Sequence, residues 1–120
     1  MKNTPWSQID PKPVNLDGVK EVAVRLLVTR ADGAPNFSMR MFELGPDGHT
    51  LRHSHNYEHV VFVVEGTGEL FHEGTTSPIA SGSAILVPPG SLHQFHNTGQ
   101  ETMRFLCIIP NGDDVPDKMK

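Results

Sequence analysis

Cysteine is almost missing from this chain of 120 residues: Cys107 stands alone, which excludes an internal disulfide and suits a reducing compartment. Long apolar runs are missing too. The longest covers about five residues, against the roughly 20 needed to cross a bilayer, so no membrane span is expected. The first residues, MetLysAsnThrProTrpSer, lack the apolar core of a signal peptide, and a cytoplasmic location is expected. Clusters of basic residues are absent as well. With 10 Lys and Arg against 14 Asp and Glu, the formal charge is -4, and no nucleic-acid partner is expected because the phosphate backbone needs clustered cations.

Turn formers are plentiful. Eleven glycines and ten prolines punctuate short alternating runs instead of forming a low-complexity block, the pattern of an all-β domain with many turns. The length allows one domain with a modest core, small enough that pairing into a homodimer would help it. Residues 1–18 read as an N-terminal arm, irregular or paired at an edge, whose Trp6 caps one end of the core or packs on a second subunit. Residues 19–110 read as a barrel and 111–120 as a loose polar tail. Within the barrel, strands are expected over 19–30, 37–44, 58–65, 69–73, 76–80 and 102–109, with Pro46-Asp47-Gly48 a turn and Gly66-Thr67-Gly68 a tight hairpin. Only fifteen residues separate Gly66 from Gly82, too few for an inserted lid, so any pocket must be small and bounded by strands.

Chemistry concentrates in the histidines. Three of seven, His53, His55 and His59, fall between Asp47 and Gly66, all odd-numbered and so on one face of an extended segment. Downstream, Gly82–Asn97 reads GSAILVPPGSLHQFHN, and its Pro-Pro-Gly turn could bring His93 opposite the first three. Four imidazole nitrogens would then surround one point, a plausible metal site. Glu58 competes with His59, but the spacing from His55 favours His59 and leaves Glu58 as a structural residue or a partner of a ring N–H. His96 has the opposite parity to its neighbour His93 and is expected to face away, while His49 and His72 belong to no pattern. Met39, Met41, Phe95, Phe105 and Cys107 are candidates for an apolar pocket wall, and equally for plain core.

These two stretches resemble the paired motifs of the cupin superfamily. The first appears as His53-x-His55, three residues, His59, six residues, Gly66, and the second as Gly82, Pro88, Gly90, His93 and Asn97. Two positions depart from the usual pattern: Asp47 stands where the first motif opens with glycine, the glycine being displaced to Gly48, and His59 replaces the usual carboxylate ligand. In this the chain is similar to a small group of bacterial four-histidine, manganese-binding cupins, over about residues 34–110. The resemblance implies a single-domain jelly-roll barrel and a divalent metal held by His53, His55, His59 and His93. It implies Mn(II) first, with Fe(II), Zn(II), Ni(II) or Cu(II) as other candidates. It assigns Asn97 to fixing a strand end.

Four neutral imidazoles would leave a divalent ion its full charge as a Lewis acid, and an octahedral ion would keep two open positions. The expected activity is that of a Mn- or Fe-dependent oxygenase of dioxygenase type, an oxidoreductase acting on a small organic molecule. A cupin that only binds a metal or small ligand, and a metal-dependent isomerase, are the alternatives. Sugar isomerisation usually needs a separate acid and base, and none beyond the ligands is evident. Metal release is expected below about pH 6, near the ordinary histidine pKa.

Overall fold

The computed structural model describes residues 1–112 as nine strands: β1 (Lys12–Pro13), β2 (Lys20–Val28), β3 (Phe37–His49), β4 (His59–Glu65), β5 (Thr67–His72), β6 (Thr75–Ala80), β7 (Ala84–Val87), β8 (His93–Asn97) and β9 (Met103–Pro110). Its only helical elements are two short 3-10 turns, Trp6–Gln8 and Arg30–Asp32, among the described residues. All pairing is antiparallel, in the order β6-β5-β8-β3-β9-β4-β7, with β2 added along β3 and β1 along β2. This curled arrangement is the jelly roll expected of a single-domain, all-β cupin barrel.

Alternation decides what lies inside. Along β9, Met103, Phe105, Cys107 and Ile109 are buried and the residues between them are not. Across the ladder these face Leu44, Phe42, Arg40 and Ser38 of β3, so the even-numbered residues of β3 point inward. Met39 and Met41 therefore stand on the other face, away from the core cluster around Phe105 and Cys107. An inward arginine obscured this in the sequence, because a charged residue ordinarily marks the solvent face. In β2 the register shifts between Leu26 and Val28, which lets Leu27 be buried as well as Val22 and Val24 and breaks a strict odd–even reading.

Two expected turns are something else. Pro46-Asp47-Gly48 is a distortion within β3, the strand running on to His49. Asp47 takes φ +61°, a left-handed conformation that aspartate tolerates better than most residues, and its carboxylate bonds Lys20 (2.6 Å) and His96 (2.8 Å). A Cβ on Gly48 would lie 2.8 Å from the Gly45 carbonyl oxygen and 2.9 Å from that of Glu21, so the displaced glycine is needed where it is. Nor is Gly66-Thr67-Gly68 a hairpin. β4 pairs with β7 and β9, β5 with β6 and β8, and Gly66 (φ +95°) is the corner where the chain passes between them.

The arm is paired at an edge: Lys12 and Pro13 lie against Val24 and Ala23. Trp6 sits between two guanidinium groups, those of Arg25 (4.9 Å) and Arg104 (5.1 Å), which themselves converge on Glu43. Asn111, at the start of the expected tail, is tied down by bonds to Asn36 (2.9 Å) and Ala34 (2.8 Å). The rest of that tail, from residue 113 on, lies outside the described residues.

Gly68 is the tightest point of this framework, since a Cβ there would come within 2.4 Å of the His96 carbonyl oxygen and 2.8 Å of the Met103 sulfur. Gly68→Ala is expected to lower stability by about 2–4 kcal/mol, through displaced backbone rather than a lost contact, as measured by urea unfolding.

Candidate metal centre

The histidines converge, but not from one strand. Residues 50–58 are mostly irregular, and only His59 opens β4. His53 and His93 form an isolated antiparallel bridge, exchanging N–H···O bonds of 3.2 and 3.0 Å. Gly90 N–H donates to the His55 carbonyl oxygen (2.7 Å), so the Pro-Pro-Gly turn grips the first motif directly.

His53, His55 and His93 each bring a ligand nitrogen within 4.8 Å of the others, and their ring centroids lie 5.0 to 5.1 Å apart. His59 is outside that trio, yet its ring stacks on His55 at 4.4 Å and meets the edge of His93 at 5.3 Å. Glu58 is exposed. His96 faces outward to Asp47, and His49 bonds Gln94 on the same side. Asn97, fully buried, donates to the carbonyl oxygens of Leu44, Gly45 and Glu101 and accepts from Gly99 N–H, tying the end of β8 to β3.

Hydrogen bonds assign the tautomers. A carbonyl oxygen only accepts, so the His55 ring must donate Nδ1–H to Tyr57 (2.7 Å) and the His93 ring Nδ1–H to Ser91 (2.8 Å). Each is left with a lone pair on Nε2. The Nε2 atoms of His55 and His59 are buried with no hydrogen-bond partner among the described residues. An orphaned acceptor such as His55 Nε2 costs free energy unless something binds it, and a divalent cation suits an all-imidazole donor set.

Beside the histidines lies a narrow, mostly apolar cavity. Phe42, Phe95 and Phe105, stacked at 5.3 and 4.6 Å, line it together with His53, His59 and His93. Val14, Leu16 and Val19 close it from the N-terminal segment, with Thr50 and Leu51 beside them. Of the expected wall residues, Phe95 and Phe105 line this cavity. Met39 and Met41 do not, for the reason of strand parity given above, and Cys107 lies behind His59. Sequence reasoning missed the contribution of the arm, although apolar Val14 and Leu16 alternating in a polar, proline-rich stretch were a signal for it.

Burial makes these imidazoles hard to protonate. It pushes His53 down to about 4, with the neighbouring His93 adding to the effect, and His59 down to about 2, with the charge of Arg40 second. His55 and His93 are lowered by burial as well. Protons therefore compete for the rings at lower pH than the value near 6 expected from an ordinary histidine. A histidine with a lowered folded pKa binds fewer protons folded than unfolded, so its contribution to stability is complete above about 6.5 and is lost as pH falls toward 4. Metal-free protein is expected to melt progressively lower between pH 6.5 and 4, and His53→Gln to flatten that slope. Differential scanning calorimetry across this range is the check.

The cupin-domain family pattern (Cupin_2) matches residues 40–109. Among solved structures, the chain is similar to the polyketide cyclase RemF from Streptomyces resistomycificus, with a TM-score of 0.86 and 32% identity over 95% of this chain and 89% of that one. Among curated proteins, it is 32% identical over 78 residues to 1-methylthio-D-xylulose 5-phosphate methylsulfurylase of Rhodospirillum rubrum, covering 65% of this chain and 50% of that protein. It is also 29% identical over 100 residues to the polyketide synthase CurC of Streptomyces cyaneus, covering 82% of this chain and 65% of that one. The chain thus spans between half and two thirds of the length of these curated relatives. With both histidine motifs inside the matched region and a jelly-roll barrel around them, the chain belongs to the cupin family.

Proposed function

We propose that this protein is a metal-dependent enzyme acting on a small, largely apolar molecule that carries oxygen atoms, with His53, His55, His59 and His93 as the metal ligands. The observation that carries this reading is the cluster of His53, His55 and His93, of which His53 and His93 line an apolar cavity together with His59, while the buried Nε2 atoms of His55 and His59 have no partner among the described residues. A divalent ion held there would supply Lewis acidity toward a substrate oxygen. Mn(II) is the first candidate, although intrinsic affinity ranks Zn(II) and Cu(II) above it, and Fe(II) and Ni(II) would also fit.

The cavity's own residues do the rest. The faces of Phe42, Phe95 and Phe105 suit a flat, apolar body, and Val14, Leu16 and Val19 would keep water from it. Among the described residues, no Lys, Arg, Asp or Glu lines the cavity. The lining thus offers a phosphorylated sugar no cationic side chain among the described residues, in contrast to the sugar-phosphate substrate in the name of the Rhodospirillum relative. The likeness to two polyketide proteins supports a carbonyl-rich substrate, and the name of one of them, the cyclase RemF, supports a cyclisation. The absence of a carboxylate also leaves an isomerase without a separate acid and base.

The same absence supports a second reading, a Mn- or Fe-dependent oxygenase whose chemistry is centred on the metal. Exposed Val60, Phe62 and Leu86 on the outer face of β4 and β7 support a homodimer. No helix of the described residues is long and apolar enough to cross a membrane, and a cytoplasmic setting remains the expectation.

One divalent ion per chain is expected on elemental analysis of protein purified without added metal. Saturation at 100 times Kd should stabilise the fold by about 2.7 kcal/mol, measured as a calorimetric shift. His93→Ala should abolish both. Cyclisation of a poly-β-ketone by the loaded protein supports the first reading, and oxygen consumption without cyclisation supports the second. Metal binding with neither would reduce the protein to a binding module.

A further inference from the structure

His55 and His93 are each held by a carbonyl oxygen two residues away, but His59 has no such support. Its Nδ1 lies 3.2 Å from the sulfur of Cys107, a residue distant in sequence. The same sulfur accepts a hydrogen bond from Nη2 of Arg40 at 3.2 Å, since a guanidinium can only donate. Three neighbouring strands produce this row: Cys107 on β9 stands opposite Arg40 on β3 and opposite Val61 on β4, two residues beyond His59. Arg40 is fully buried, and its guanidinium lies 4.8 Å from the centre of the Phe42 ring. The inward positions of β9 otherwise carry Met103, Phe105 and Ile109, so packing alone would be met by valine at position 107.

We propose that Cys107, braced by Arg40, is the positioning residue for His59, holding that ring by its Nδ1 side so that its buried Nε2 faces the three-histidine cluster. The inference rests on the metal-centre reading above. His59 is 4% exposed, its Nε2 has no partner among the described residues, and its ring packs against those of His55 (4.4 Å) and His93 (5.3 Å). His59 is then secured by a contact between strands, where His55 and His93 are secured within their own loops. Partners of a ligand's far nitrogen typically matter 10- to 100-fold in metal affinity.

The test uses Cu(II) as a probe, counting coordinated imidazole nitrogens by electron paramagnetic resonance and measuring affinity by competition with a chelator. Wild type should show four nitrogens. Cys107→Val, which keeps the volume and removes the hydrogen bonds, should show three and bind about 10- to 100-fold more weakly. Cys107→Ser, which can still accept, should keep four. Should the valine variant fail to fold by circular dichroism, Cys107→Ala carries the same test. Four nitrogens with undiminished affinity in the apolar variants would overturn the inference and leave the metal reading intact. Equal counts in wild type and His59→Ala would overturn it too, leaving a three-histidine site. No Cu(II) binding by wild type would overturn both.

Discussion

The antiparallel bridge between His53 and His93 is the contact on which the site depends. It joins an irregular loop to a barrel strand by two main-chain hydrogen bonds, and main-chain bonds fix direction more firmly than side-chain packing does. Thr50 extends the same seam: its N–H donates to the Phe95 carbonyl oxygen, and its hydroxyl accepts from Phe95 N–H. Because Gly90 also grips His55, the whole first motif is laid against the start of β8. The rings can therefore be close without being on a common strand.

Neutrality is the second constraint. Burial first, and then the charges of neighbouring imidazoles and of Arg40, hold the pKa values of His53 and His59 down. A pocket of neutral nitrogens can hold a divalent cation only by lone-pair donation, which is why the tautomers matter. Carbonyl oxygens at Tyr57 and Ser91 settle them for two rings. The cavity is mostly apolar because the stacked Phe42, Phe105 and Phe95 line it next to the histidines. Outside, Glu43 gathers Arg25 and Arg104 around Trp6, so the barrel's ion pairs lie apart from its chemistry.

Much of this was legible in the residues because cupin motifs are spaced by turns, and turn chemistry is local. Gly82, Pro88, Gly90, His93 and Asn97 announced a turn, a strand and its final tether, and all have those places in the structure. The all-β barrel and the candidate ligand set could be read likewise. Parity reasoning put His53, His55 and His59 on one face of an extended segment, but the loop that carries the first two is not a strand, and the rings approach one another through its bridge to β8.

Other features depend on pairs of residues that no local pattern connects. Which face of β3 turns inward was decided by its register with β9, and that register sends Arg40 to the interior and Met39 and Met41 away from the cavity. The closing role of Val14, Leu16 and Val19, and the sulfur of Cys107 lying behind His59, arise from contacts between distant segments. Sequence by itself determined the all-β class, most of the strands and the candidate metal ligands, since these follow from side-chain period, backbone preference and motif spacing. Only the tertiary structure decided which nitrogens face one another and what walls surround them, because those depend on strand register, and register is a property of the assembled sheet.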